Sequence, residues 1–338
     1  MTEINMKKFL FKIFQLLSIM ALFVFFMEIA IFLCKEDIFS ERTMENKYID
    51  VVNDSKWANK IQSSRKIFLV GASSVRYGLS CTQLNKLSND TLSFVNLALS
   101  GGDAIEMYFI LKHLDLTGVK AVYYGLDPWV FSKYYYRNKS PHLYLDLNLL
   151  QAFRLSLKMD KPIFLSRYYA FYHYLFPSKE INNNINQKIP EDFGSKKLVR
   201  KPTNFNTPVN LVKWFQVDRY GWSQLNFIYL KKIADLCKKN NIEFSTFVPP
   251  KRSDLSKAYK LQCNLIHKEY INNLIKLNFK SQIFGKFDEL DSLGDKNLFS
   301  ESFHLNKQGQ WVYTKVFYQM TLNKKMIFSQ EYSWFNKN

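Results

Sequence analysis

The sequence predicts an α/β protein in which a mostly parallel sheet is covered by helices and preceded by one transmembrane helix. Apolar runs that suit buried strands alternate with helical segments, the connections between them are short, and a long apolar segment lies near the N-terminus. Of the 338 residues, 47% are hydrophobic and 22% charged, which excludes disorder as the main state.

The apolar segment covers residues 9–34 and is interrupted only by Lys12 and Glu28. As a helix it would be about 39 Å long at about 1.5 Å per residue, enough to cross a bilayer. No small-residue cleavage site follows it, so we expect an uncleaved signal anchor. Glu28 lies near its outer end, and we expect it either to snorkel to the interface or to contact another membrane protein.

The orientation of this anchor follows from the charges beside it. Three lysines lie in the N-terminal part of the chain up to residue 12, and Lys35 is the only cation directly after the span. The positive-inside rule therefore predicts that residues 1–8 are cytoplasmic and that the main domain lies outside the cytoplasmic membrane.

The remaining chain is predicted to comprise a polar stalk over residues 35–64, an α/β domain over 65–130 and 221–338, and an insertion over 131–220. The domain's predicted strands are 66–71, 92–99, 119–125, 242–248 and 282–287, and its predicted helices are 80–87, 103–116, 222–239, 255–277 and 307–322. Strands that alternate with helices in this way are typical of a parallel sheet.

The insertion is aromatic and basic, with fifteen Lys or Arg against six Asp or Glu, and is predicted to be largely helical. Its aromatic and cationic side chains either bind sugars and an anionic polymer, or form a small core or a membrane-facing surface.

The charge distribution and the cysteine spacing argue against a nucleic-acid partner and against a structural zinc site. The formal net charge is +18, but no nucleic-acid recognition motif accompanies it, so we do not expect nucleic-acid binding. The four cysteines form no CxxC pair, and Gly71 stands outside any nucleotide-binding glycine motif. We expect no metal and no cofactor.

The candidate site lies where the predicted strands end, since ligands of open α/β sheets bind beyond the carboxyl ends of the strands. Ser73 follows the first strand and is the candidate nucleophile. His304, directly before the last helix, is the candidate base, and Glu301 would orient its imidazole. The backbone N–H groups of Ser73 and Gly101 are the candidate oxyanion donors.

Three motifs carry a resemblance to a known family: Gly71-Ala72-Ser73, Asn96-x-x-x-Ser100-Gly101, and Glu301-x-x-His304-Leu305-Asn306-x-x-Gly309. They resemble the blocks of the SGNH (GDSL-type) hydrolases. The resemblance implies a three-layer α/β/α sandwich with a mostly parallel five-stranded sheet, a nucleophilic Ser73 and a basic His304. Asp127 and Asn306 are then candidates for residues that support the site.

The sequence departs from the family pattern at two positions. Leu126 stands where the third block has an oxyanion-donating Asn, and Glu301 stands where the last block has Asp. Loss of one oxyanion donor costs about 3–4 kcal/mol of transition-state stabilisation where nothing replaces it.

The N-terminal anchor and the Gly125-Leu126-Asp127-Pro128-Trp129 segment resemble one subgroup, which includes the D-alanine-transfer protein of teichoic acid synthesis and the alginate and peptidoglycan O-acetylation proteins. This implies an acyltransferase or esterase that acts through acyl-Ser73 on an envelope polysaccharide or another acylated surface polymer. The implied partners are membrane lipid and a multi-pass membrane-bound O-acyltransferase. An inactive accessory subunit and a polysaccharide-binding module remain alternatives.

Overall fold

The computed structural model describes residues 3–38, 57–131, 147–159, 163–176, 189–197, 223–247, 249–250, 252, 283–284, 296–300 and 304–321. The chain forms two compact units. The first comprises Met1–Ile49 and Lys139–Asn184, and the second comprises Asp50–Asn138 and Ile185–Asn338.

The helices and strands follow one another along the chain. They are α1 (Glu3–Ile38), β1 (Lys66–Val70), α2 (Ser73–Gly78), α3 (Cys81–Leu87), β2 (Ser93–Asn96), α4 (Ala104–Lys112), β3 (Val119–Gly125), α5 (Leu149–Met159), α6 (Ile163–Leu175), α7 (Gln224–Lys239), β4 (Glu243–Phe247), β5 (Ile283–Phe284) and α8 (Lys307–Thr321).

The first unit contains α1, α5 and α6. Within α1, Met6–Cys34 has a mean hydropathy of 2.6 and is long and apolar enough to cross a membrane.

The second unit is built on a parallel sheet with the strand order β2-β1-β3-β4-β5. The four strands from β1 to β4 have four to seven residues each, and β5 is a two-residue pairing beside β4. The predicted α/β class and the first four predicted strands are confirmed. The predicted helix over 255–277 lies outside the described residues.

Buried apolar side chains explain why these segments form a sheet. All five residues of β1 are buried, as six of the seven residues of β3 are. Tyr123 of β3 and Phe247 of β4 pack against Phe317 of α8, with ring centroids 5.7 and 5.0 Å away. These strands therefore need cover on both faces, as apolar runs in parallel sheets do.

Two segments outside the predicted α/β boundaries pack within the second unit. Trp57, at the end of the predicted stalk, is buried, and its ring lies 3.0 Å from where a Cβ on Gly194 would be. Residues 189–197, hereafter the strap, fall in the predicted insertion. Asp192 of the strap accepts a 2.7 Å hydrogen bond from the N–H of Thr82, close to the start of α3.

Candidate active site

The turn after β1 places Ser73 at the first residue of α2. Gly71 in this turn has φ +141°, a conformation that residues with a side chain rarely adopt. A Cβ on Gly71 would lie 2.9 Å from Val75 Cγ2 and 3.0 Å from the carbonyl oxygen of Gly125. The absent side chain therefore lets this turn lie against the end of β3, and Ser73 begins the helix with 8% of its surface exposed.

The neighbouring serine has a structural partner. The Ser74 hydroxyl donates a short hydrogen bond to the Asp127 carboxylate, and both residues are buried. This bond ties the start of α2 to the segment after β3. The Ser74 hydroxyl is engaged by this bond, and Asp127 supports the turn through Ser74. The nucleophilic role predicted for Ser73 stays a prediction.

The turn after β2 lies against the turn after β1. The N–H of Leu99 donates a 3.1 Å hydrogen bond to the carbonyl of Gly71, and a Cβ on Gly102 would lie 2.9 Å from the same carbonyl oxygen. Gly101, between them, has φ +70°. The structure thus brings the turn that contains Gly101 to the turn that leads into Ser73.

Asp103 fixes where that turn ends. Its carboxylate accepts hydrogen bonds from the N–H groups of Ile105 and Glu106, and the Glu106 side chain accepts one from the N–H of Asp103. This capping box starts α4 as the sequence predicts, and it satisfies donors that the helix leaves free.

The segment after β3 has no polar side chain at position 126, where the third SGNH block has an oxyanion-donating Asn. Leu126 is fully buried, and its N–H donates a 2.6 Å hydrogen bond to the carbonyl of Phe247. This hydrocarbon side chain is therefore part of the apolar interior and cannot donate a hydrogen bond to an oxyanion.

The loop before α8 holds His304 by backbone pairing. Phe299 and Leu305 form an antiparallel bridge, and the N–H of Ser300 donates a 2.9 Å hydrogen bond to the His304 carbonyl. Glu301 lies between these residues in sequence but outside the described residues, so its predicted contact with His304 stays a prediction.

Asn306 is the N-cap of α8 and closes the same loop. Its side-chain oxygen accepts a 2.9 Å hydrogen bond from the N–H of Gly309, and its Nδ2 donates a 2.7 Å bond to the carbonyl of Asn297. Asn306 therefore supports the loop that presents His304, and its side chain is engaged in that role.

The imidazole of His304 packs against the helix that begins with Ser73. Its ring centroid lies 4.9 Å from that of Tyr77, edge to face at 63°. Tyr77 follows Ser73 by four residues, so the two side chains share one face of α2. Among the described residues, no hydrogen bond joins the Ser73 hydroxyl to His304. Catalytic hydrogen bonds are often formed only when substrate is bound.

A buried tyrosine lies beneath the same helix. Tyr313 of α8 contacts the α2 terminus at Gly78, where a Cβ would lie 3.7 Å from its ring. Burial, and secondarily the Asp127 carboxylate, raises the pKa of the Tyr313 hydroxyl. Tyr313 therefore stays neutral across the physiological range and serves as packing below the site.

Sequence reasoning missed Tyr77, the Ser74–Asp127 hydrogen bond and the role of Asn96. The Asn96 Nδ2 donates to the carbonyl of Val75 at 3.1 Å and to Ser195 of the strap at 3.2 Å. These side-chain contacts join segments far apart in sequence, so no periodic pattern in the sequence predicts them. Within the described part of the chain, no three His, Cys, Asp or Glu side chains are grouped as metal ligands would be.

Comparison with known proteins leaves the family open. No family model matches this chain, and no curated protein matches it either.

Proposed function

We propose that this protein is a membrane-anchored, SGNH-like serine acyltransferase or esterase. The observation that carries the proposal is the position of His304, whose imidazole packs on the α2 face that also bears Ser73. A hydroxyl at the end of the first strand and an imidazole from the last loop are the pair that acyl transfer through a serine requires.

The proposed reaction has two steps. His304 takes the Ser73 proton while the Ser73 oxygen attacks the acyl carbonyl, and the N–H groups of Ser73 and Gly101 hold the oxyanion. The oxyanion collapses to acyl-Ser73, and the departing alcohol takes the proton from His304. Water or a sugar hydroxyl then loses its proton to His304 and attacks acyl-Ser73. The bond between the acyl carbon and the Ser73 oxygen breaks, that oxygen takes the proton from His304, and an acid or a new ester is released. Glu301 orients the imidazole in both steps.

The finer architecture and location belong to the same proposal. We place the second unit among three-layer α/β/α sandwiches with a five-stranded sheet, to which the strand order and the β4–β5 pairing conform. We place α1 across the cytoplasmic membrane once, with its N-terminus in the cytoplasm. The substrate is then an acylated envelope polysaccharide, and the partner a multi-pass membrane-bound O-acyltransferase.

One observation favours a second candidate, an accessory subunit without activity. Leu126 is buried in the apolar interior and its N–H is bonded to Phe247, so this position supplies no donor to the proposed oxyanion site. In this alternative the second unit keeps its fold and binds the polysaccharide or the partner enzyme without transferring an acyl group.

A fluorophosphonate probe separates the two candidates. The full-length chain in detergent is incubated with the probe, whose phosphorus bonds to an activated serine oxygen as fluoride leaves. We expect labelling at Ser73, none in Ser73→Ala, and labelling slower by about 10²–10⁴-fold in His304→Gln. Ser64→Ala and His113→Gln, both at exposed positions, are the matched controls, and both should still be labelled at Ser73.

Failure would take a recognisable form. An unlabelled but folded wild-type chain favours the accessory subunit, and equal labelling of wild type and Ser73→Ala refutes Ser73 as the nucleophile. The location is tested separately with protease added to intact cells, where protection of residues 50–338 would contradict the proposed orientation.

A further inference from the structure

Glu28 is paired within the chain, in a way that neither sequence-based expectation anticipated. Both of its carboxylate oxygens accept hydrogen bonds from the Arg167 guanidinium, at 2.9 and 2.8 Å, and the Tyr168 hydroxyl donates a third at 2.9 Å. Arg167 is 3% exposed and Glu28 23% exposed. The acid in the apolar segment is therefore neutralised by α6.

The contact with α6 covers one face of α1 near its C-terminal end, and most of the other α1 side chains are exposed. Residues between Phe9 and Phe26 are largely exposed, whereas Val24, Met27, Glu28 and Ile31 are covered or partly covered. These four positions are spaced three, one and three residues apart, which is one face of a helix. Hence α6 lies against the C-terminal third of the apolar span.

The depth of this contact follows from helix geometry. A hydrocarbon core about 30 Å thick is crossed by roughly 20 helical residues. If it is centred on Met20, the midpoint of Met6–Cys34, it reaches from about Leu10 to about Ala30. Glu28 then lies just inside the boundary of one leaflet. The Arg167 and Tyr168 groups that bind it must lie at that depth too.

The outer face of α6 is apolar where it faces away from α1. Four exposed side chains, three in α6 and one directly after it, are spaced four, three and four residues apart, and each exposes between 52% and 61% of its surface: Leu165, Tyr169, Tyr172 and Phe176. Leu175, the last residue of α6, is also exposed, at 51%, to one side of this stripe. Ile163, Arg167 and Phe171 are buried on the opposite side. The helix therefore presents one apolar stripe, with tyrosines that suit a membrane interface.

Helix α5 repeats the pattern and is fixed to α6. Leu150, Phe153 and Leu157 form an exposed stripe with 47% to 67% of their surfaces free. The N–H of Phe164 donates a 3.0 Å hydrogen bond to the Ser156 hydroxyl, and the rings of Phe153 and Phe164 lie 5.9 Å apart. Together α5 and α6 form a helical hairpin with two exposed apolar stripes, hereafter the hairpin.

We propose that the hairpin lies in the bilayer interface, in the leaflet around the C-terminal end of α1, with both stripes in the lipid acyl chains. Two features support this: the Glu28 pairing, which fixes the depth of α6 once α1 spans the bilayer, and the apolar stripes, whose exposure to water would be unfavourable. Arg154, exposed at the edge of the α5 stripe, reaches lipid phosphates from there. The inference rests on the proposed placement of α1 across the membrane and not on the reaction proposed for Ser73.

Depth-dependent quenching tests the proposal. A nitrobenzoxadiazole fluorophore is attached to single cysteines at Leu157→Cys and Tyr172→Cys in the full-length chain, reconstituted in nanodiscs of phosphatidylcholine and phosphatidylglycerol. Cys34 and Cys263 are replaced by alanine, while Cys81 and Cys237 are buried and stay. A chain without an added cysteine measures background labelling.

Two further positions calibrate the measurement. Gln151→Cys labels an exposed polar position of α5 beside the apolar stripe, and Lys86→Cys labels an exposed position of the second unit. We expect lipids with a doxyl group near the headgroup to quench the probe at positions 157 and 172 at least threefold more than at 86, and iodide to show the reverse order. Position 151 should fall between.

Two results would overturn the proposal. Iodide quenching at positions 157 and 172 as strong as at 86 would place the stripes in water. Shielding from both quenchers, together with covalent dimers on cross-linking in the nanodisc, would make a second copy of this chain the occupant instead of lipid.

Discussion

The Glu28–Arg167 ion pair gives the sharpest stability prediction. Arg167→Leu would leave the Glu28 carboxylate in apolar surroundings without its two 2.8–2.9 Å guanidinium bonds. Removal of one partner from a buried pair costs about 3–5 kcal/mol. At the lower end of this range, about 3 kcal/mol corresponds to a roughly 100-fold increase in the population of the undocked hairpin.

Hydrogen exchange of α6 amides in nanodiscs measures this population, since exchange through local opening follows the opening free energy. We expect α6 to exchange about 100-fold faster in Arg167→Leu. The double variant Glu28→Leu/Arg167→Leu should recover most of the protection, because no charge is left unpaired. The matched control is Lys231→Ala, which breaks an exposed pair with Asp235 whose side chains are 50% and 60% exposed.

That control should change α7 exchange by less than about threefold, since exposed i,i+4 pairs contribute about 0.3–0.5 kcal/mol. The reasoning fails if Arg167→Leu leaves α6 protection within threefold of wild type. It also fails if the double variant is as unprotected as the single one, because the loss would then come from packing and not from an unpaired carboxylate.

Three further predictions concern the second unit. Asn96→Ala should lower the free energy of unfolding by about 2–4 kcal/mol in detergent, because three buried hydrogen bonds are lost; Asn240→Ala, an exposed helix terminus, should cost less than about 1 kcal/mol. Gly102→Ala should lower the melting temperature and slow fluorophosphonate labelling, since its methyl group would lie 2.9 Å from a carbonyl oxygen of the turn after β1. Cys81 and Cys237 should resist iodoacetamide at pH 8 until the chain is denatured, because burial raises both thiol pKa values, that of Cys237 to about 12; mass spectrometry of the native and unfolded chain checks this.

Much of the α/β architecture could be predicted because it depends on local patterns. The third strand was predicted over 119–125, where the structure has it, and the last helix begins at Lys307 as predicted. Helix α2 was missed. It has six residues, and its N-cap, Ala72, has no side chain that could cap it, so none of the usual start signals is present.

The long-range side-chain contacts in both units could not be read from the sequence. Glu28 and Arg167 are 139 residues apart, and Ser74 and Asp127 are 53 apart. Each pair forms because a buried charge or carboxylate needs a donor, and that need does not say which distant residue supplies it. The His304 loop was predicted from its place before the last helix, and the structure adds Tyr77, which no motif includes.

The strap shows how part of the predicted insertion contributes to the site. The N–H of Lys196 donates a 2.9 Å hydrogen bond to the carbonyl of Arg76 in α2, and Gln310 of α8 donates a 2.9 Å bond to the carbonyl of Lys196. Gln310 also reaches the carbonyl of Leu79, directly after α2, at 3.3 Å. The helix that begins with Ser73 and the helix that follows His304 are therefore joined both directly and through the strap. The acceptors are backbone carbonyls, whereas two of the three bonds are donated by the Gln310 side chain, so the spacing between the two helices depends on the path of the strap and on the identity of residue 310.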